Sequence, residues 1–235
     1  MPGFIGDCPH EPSINSVIKH NDEPLERMNH MDPFSFPVQL KTASIKSKNV
    51  KIYYPQIINL PNSVVEKRMN TTIKNQTESL IKMQNFDPNT PQSDMQGGYE
   101  IKTNERAILS LTQSNYAFYD HQAHGMTYQK SLTGNVKTGK FYSLAELFKP
   151  GSNYVERLSD IICVQIKERK IDLLEPFTSI RPDQDYYVAD KSLVIYFELY
   201  EITPYYYGFP MFPISVYQIQ DIINENGPLG ILSAS

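Results

Sequence analysis

ILSLTQSNYAFYDHQAHGMTYQKSLTGNVK, residues 108–137, is the stretch on which the fold turns. Its first part, Ile108 to Tyr119, mixes aliphatic, hydroxyl and aromatic residues of the kind that fit a half-buried pleated surface. Its last part, Met126 to Lys137, does the same around Tyr128, Ser131 and Thr133. Between them lies a short polar connection that ends at Gly125. Two strands joined as a hairpin are expected, with Gly125 supplying a backbone angle that other residues resist.

That connection also holds Asp120, His121 and His124, in a chain with five histidines. On a helix, His at i and i+3 would share a face and could converge on one metal ion. On a strand, residues three apart point to opposite faces, so the two imidazoles diverge. HExxH and CxxC spacings are absent, and His10, His20, His30 and Cys8 are spread too widely for a compact ligand set. No metal is expected, and His124 is read as a turn residue whose ring bonds nearby backbone. A metal-dependent hydrolase using His121 and His124 is the alternative.

Working outward, residues 38–57 alternate in two runs, giving two strands joined near Ser47-Lys48-Asn49. Ser63 and Glu66 have capping-box spacing ahead of a helix that should bury Val65, Met69, Ile73, Leu80 and Met83 and end near Gln84. Residues 88–98 read as a loop, and Tyr99, Ile101 and Thr103 as strand. Gly139 marks a turn. Ser143 with Glu146 opens one helical turn, and Asn153 with Glu156 caps a longer helix with the stripe Val155, Leu158, Ile162, Ile166. Strands follow at 185–189, 192–199 and 212–216, then a short helix over 216–224. The fold class is α+β, with antiparallel sheets packed against two main helices. Residues 1–36, proline-rich and without periodicity, read as an extended or partly ordered arm.

Composition narrows the function. Apolar residues make up 40% and charged residues 20%, which suits a globular body. A net charge of −4 and a pI near 5.7 give no footprint for nucleic acid. No apolar run is long enough to span a membrane or to form a signal segment, so a cytoplasmic location is expected. GxSxG and GxGxxG are absent, and Gly134, Gly139 and Lys140 are followed by Phe141 and not by the Ser or Thr of a phosphate loop, so no catalytic residue and no cofactor are assigned. With two cysteines, Cys8 and Cys163, one disulfide is possible, and Cys163, beside Ile161 and Ile162, reads as a small buried hydrophobe. Asp183, Asp185, Glu198 and Glu201 read as solvated or paired carboxylates.

The densest local feature is YEITPYYYGFPMFPI, residues 200–214. Pro204, Pro210 and Pro213 oppose regular ladder pairing, and Gly208 breaks the segment. A proline-held aromatic loop loses little entropy on docking. Tyr205, Tyr206, Tyr207 and Phe209, with Tyr119 and Tyr128 from the hairpin, are the candidate partner-binding residues. The competing reading is that these rings cover one end of a sheet as a second small core.

Two runs carry a resemblance: AHGMTYQKSLTGNVKTGKFYSLAELF at 123–148 and DYYVADKSLVIYFELYEITPYYYGFPMFPIS at 185–215. They are similar to the signature segments of a bacterial domain family of unknown function. That family is shared by the extracytoplasmic region of the RsiV anti-sigma factor and the N-terminal region of the PdaC peptidoglycan deacetylase. Gln122 stands where the family often has Gly. The resemblance spans about 38–217. It implies an α+β fold in two parts, PdaC-like over 37–95 and RsiV-like over 96–235. It also implies a non-catalytic binding module whose partner is an unknown protein or a cell-wall-derived ligand. Relatives are mostly extracytoplasmic, so export or spore association is a further expectation, and a structural coat protein a further alternative.

Overall fold

The computed structural model describes residues 37–87 and 93–234. The expected N-terminal arm, with its three histidines and Cys8, lies outside the described residues.

The chain opens with a hairpin, β1 (Gln39–Ser47) and β2 (Val50–Ile58), paired along its full length. Alternation at the start of β2 buries Val50 and Ile52, and Ile57 near its end joins the core under α1. Helix α1 (Ser63–Met83) follows. Its buried stripe is Val65, Met69, Ile73, Thr77 and Leu80, spaced by three or four residues. The capping differs from the spacing argument. Asn62 is the N-cap, its side chain accepting from the N–H groups of Val64 and Val65 at 3.1 and 3.2 Å. Glu66 instead accepts the Leu60 N–H at 2.8 Å. Met83, expected inside, is 38% exposed, because the next buried place after Leu80 goes to Gln84, whose side-chain amide donates to the carbonyls of Asn115 and Met126.

Strands β3 (Asp94–Glu105), β4 (Ile108–Phe118), β5 (Met126–Asn135) and β6 (Lys140–Phe141) complete a six-stranded sheet in sequence order. Gly97 and Gly98, expected in a loop, lie inside β3. A Cβ on Gly97 would sit 2.7 Å from Ile52, so glycine allows β2 and β3 to approach. That pair is parallel, unlike the rest of the sheet, and covers only residues 50–52. Farther along β2 stands Pro55, which has no N–H for a ladder. A boundary at 95/96 falls just inside β3, so the sheet draws strands from both sides of it.

After a 3-10 turn at Ala145–Leu147 comes α2 (Tyr154–Arg169), burying Leu158, Ser159, Ile162 and Ile166. Asn153 precedes it without a side-chain cap to backbone; its amide reaches Glu156 instead, at 3.3 Å. Strands β7 (Tyr186–Ala189), β8 (Ser192–Tyr196) and β9 (Met211–Ser215) form a second, antiparallel sheet. The helix expected over 216–224 is only a 3-10 turn, Val216–Gln218. A short α3 (Pro228–Ser233) follows it, opened by proline at its start. The main core lies between the second sheet, α2 and the C-terminal segments, with Leu158, Ile162, Val188, Ile195, Phe212 and Leu229 among its members. A second core joins α1 to the large sheet through Met69, Ile73, Leu109 and Leu111.

The two sheets meet at a polar seam. On its edge β7 has a row of backbone groups without a ladder partner, and hydroxyls from the large sheet satisfy them. Val188 N–H donates to Ser110 Oγ at 3.0 Å, and Thr103 Oγ1 donates to Val188 O at 3.0 Å. Asp190 N–H reaches Thr103 Oγ1 at 2.9 Å, and Ser131 Oγ bonds Tyr186 O. The outer edge of β9 is closed from α2, where Gln165 and Arg169 donate to the carbonyls of Pro213 and Met211, each at 2.8 Å.

Candidate functional site

The connection between β4 and β5 is a tight polar turn. His121 takes the left-handed conformation, φ 70°, in place of Gly125. Asp120 Oδ1 accepts the His121 N–H at 3.0 Å, and its other oxygen lies 3.3 Å from His121 Nε2. The His121 side chain is 92% exposed. Glycine at 125 answers to space: a Cβ would lie 2.3 Å from the Tyr116 ring.

His124 turns the other way. Its Nδ1 lies 2.9 Å from Gly125 O, and its Nε2 lies 3.2 Å from Tyr200 Oη. Both ring nitrogens are thus engaged within the chain. The imidazole stacks on Tyr205, with centroids 4.0 Å apart and planes 23° from parallel. Tyr205 Oη also donates to Gly125 O, at 3.0 Å. Tyr200 completes the cluster, 5.5 Å from Tyr205 between centroids and 47% exposed. The structure therefore brings the 119–128 connection and the 200–209 segment onto one aromatic face.

The candidate residues divide on this face. Tyr205 and His124 form its stack, and Tyr206, next in the chain and 73% exposed, donates its hydroxyl to Asp172 at 3.3 Å. Tyr207 turns inward against the main core. Phe209 is half-buried, and Gly208, at φ 75°, ends the 3-10 turn Tyr205–Tyr207. Tyr119 points back to α1, donating to Gln84 O at 3.1 Å and packing on Phe86. Tyr128 stands opposite Asn115 on β5. Gly139, at φ 68°, sits in the β5–β6 turn beside Arg68. Sequence spacing gives no sign of Tyr200 as a partner of His124, because 76 residues separate the two.

Beneath the tyrosine segment lies a group of charges. Lys130 Nζ is 2.7 Å from Asp185 and 3.8 Å from Glu198. Arg181 bonds Glu201 and lies 3.9 Å from Asp185. Asp185, Glu198 and Glu201 are 14%, 18% and 20% exposed. Burial raises Asp185 above the usual carboxylate range and pushes Glu198 up to about 7, with Lys130 opposing both. Among the described residues no cluster of His, Cys, Asp or Glu has the arrangement of a metal site. None of the described helices is long and apolar enough to cross a membrane. Cys163 is half-buried and disulfide-bonded, which corrects its reading as a buried hydrophobe.

Comparison with known proteins gives the chain relatives. Residues 41–127 match the family model "Deacetylase PdaC", and residues 145–217 match "Protein of unknown function (DUF3298)". The Anti-sigma-V factor RsiV of Bacillus subtilis is 27% identical over 74% of this chain and 65% of its own length. The Peptidoglycan-N-acetylmuramic acid deacetylase PdaC of the same organism is 22% identical over 77% of this chain and 40% of its own. The chain thus spans less than two thirds of either relative. Two solved structures share the fold. A DUF3298 family member from Bacteroides fragilis has a TM-score of 0.64 at 10% identity, over 86% of this chain and 99% of its own. One from Pseudomonas aeruginosa has a TM-score of 0.63 at 14% identity, over 81% and 96%. The chain thus matches the PdaC model and then the DUF3298 model along its length, on an α+β fold, and is similar to RsiV and PdaC.

Proposed function

We propose that this chain is a non-catalytic binding module whose partner docks on the face formed by His124, Tyr200, Tyr205 and Tyr206. The observation that carries the reading is the convergence of two motifs, far apart in sequence, on one exposed aromatic surface. Tyrosine suits such a role because its ring gives large contact area and its hydroxyl gives direction at small entropic cost. The partner is a protein or a cell-wall-derived ligand. An anti-sigma factor by name engages a protein, and a peptidoglycan deacetylase by name engages the wall. A disulfide at Cys163 favours an oxidising, extracytoplasmic setting. The metal-hydrolase alternative loses support from His124, whose ring nitrogens are both occupied.

The test uses the wild-type chain and a Tyr205→Ala, Tyr206→Ala double variant as baits on fractionated native cells, with sedimentation on purified peptidoglycan as a second arm. The expected result is a partner, protein or wall, bound by wild type and weakened about tenfold or more by the double variant. Equal retention of every partner by both baits would reject the surface. The fraction that yields the partner reports the compartment.

A further inference from the structure

Tyr200, on the proposed docking face, has a backbone that tyrosine seldom adopts. Its φ is 65°, in the left-handed region, where a bulky side chain is an outlier. It is the third residue of a turn from Glu198 to Glu201, closed by the Glu201 N–H donating to Glu198 O at 3.1 Å. With Leu199 outside the positive-φ region before it, this is the sign pattern of a type II turn, whose third place ordinarily takes glycine or asparagine.

Such an angle persists only where the surroundings over-determine it. Here the Glu201 side chain does so. One of its oxygens accepts the Glu198 N–H at 2.7 Å, so the turn is closed from both ends. The other bonds Arg181 and accepts the Gln184 amide at 3.3 Å. Gln184 is 1% exposed, and the same amide donates to Tyr196 O, the last residue of β8, at 3.0 Å. The Arg181 N–H donates to Gln184 Oε1 at 3.3 Å, which locks the two anchors together. Burial of the Tyr200 ring does not offset the strain, because the residue is 47% exposed. What the ring does is put its hydroxyl 3.2 Å from His124 Nε2 and its centroid 5.5 Å from Tyr205. Glycine would relieve the angle and lose the ring.

We propose that Glu201 is a positioning residue for the docking face: with Arg181 and Gln184 it holds the 198–201 turn in the strained form that aims Tyr200 at His124 and Tyr205. The purpose of the clamp rests on the docking reading. The clamp itself is tested in the free protein, so its failure and the failure of that reading are separate results.

The test combines thermal melts with the nitrogen-15 shift of His124 Nε2, all at one pH. Tyr200→Gly should melt about 2–4 °C above Tyr200→Ala, because only alanine keeps the steric cost of the left-handed angle. Glu201→Ala should lower Tm in the wild-type background and by about half as much or less beside Tyr200→Gly, since glycine takes the angle without a clamp. Tyr200→Phe, which removes only the hydroxyl, sets the direction in which the His124 shift moves when its bond to Tyr200 is lost. Glu201→Ala should move it the same way, although the bonds of Glu201 go to Glu198, Arg181 and Gln184. Arg181→Met, at a half-exposed position, should do so too and decides the matter if Glu201→Ala does not fold. Tyr200→Ala melting level with Tyr200→Gly, equal losses from Glu201→Ala in the two backgrounds, or a His124 shift unmoved by the clamp variants would overturn the proposal.

Discussion

A Cβ on Gly125 would lie 2.3 Å from the Tyr116 ring and 2.5 Å from the carbonyl of Ala117. Both neighbours belong to β4, across the turn, and the ring cannot withdraw without disturbing that strand. Gly125→Ala should therefore cost about 1–3 kcal/mol, the range for overpacking. It should appear as a lower urea midpoint with an unchanged slope. Gly98→Ala is the control: no atom lies within 4 Å of such a Cβ, so the change should stay within about 0.5 kcal/mol. Equal losses at the two glycines would contradict the steric account. The need for glycine at 125 was legible in the sequence, but its reason was not. Local spacing suggested an angle, whereas the clash comes from a residue on the partner strand, and the strained angle falls at His121 instead.

Elements were legible where one period runs long enough to show. The stripe of α1 is visible as spacings of three and four, and the hairpin β1–β2 as alternation. Helix ends were less so, because Asn62 and Ser63 both have capping chemistry and only the backbone geometry chooses Asn62. The closure of β7 left no local trace. Its edge is satisfied by Thr103, Ser110 and Ser131, which lie 55 to 87 residues away in sequence. A buried hydroxyl in that position has a large role for its size. Ser110 Oγ takes the Val188 N–H and sits 2.8 Å from Thr133 Oγ1. Ser110→Ala would leave that N–H buried without a partner, at a cost of about 1–3 kcal/mol. Thermal unfolding should register the loss, and exchange of the Val188 amide should quicken more than that of amides within α1. Unchanged Val188 exchange would mean that the seam is not what holds β7.

For the molecule as a whole, the α+β class followed from counting strand and helix periods, while the parallel β2–β3 pair and the meeting of His124 with Tyr200 and Tyr205 depend on long-range packing. The same long-range packing sets how stability depends on pH, because two carboxylates are displaced in opposite directions. Lys140 and Ser143 hold the Glu146 carboxyl down to about 2, so the folded state binds fewer protons there than the unfolded chain. That contribution is present above the ordinary value of 4.5 and is lost as pH falls toward 2. Glu146 is 43% exposed, so solvent screening keeps its share small. Burial pushes Glu198 up to about 7, and the folded state binds more protons there than the unfolded chain. That contribution is complete below 4.5 and is lost as pH rises through 7. Asp185 is raised as well and acts in the same direction. The two limbs together place greatest stability on the mildly acidic side of neutrality. Between about pH 5.5 and pH 8 the alkaline limb should lower stability by about 2 kcal/mol, or roughly 4–8 °C in Tm for a chain of this size. Glu198→Gln should flatten that limb, because glutamine keeps the shape and cannot ionise, while Glu146→Gln should leave it intact. A Tm that is level across this range in wild type, or one that still falls in Glu198→Gln, would show that the charge group under the tyrosine loop does not govern the alkaline limb.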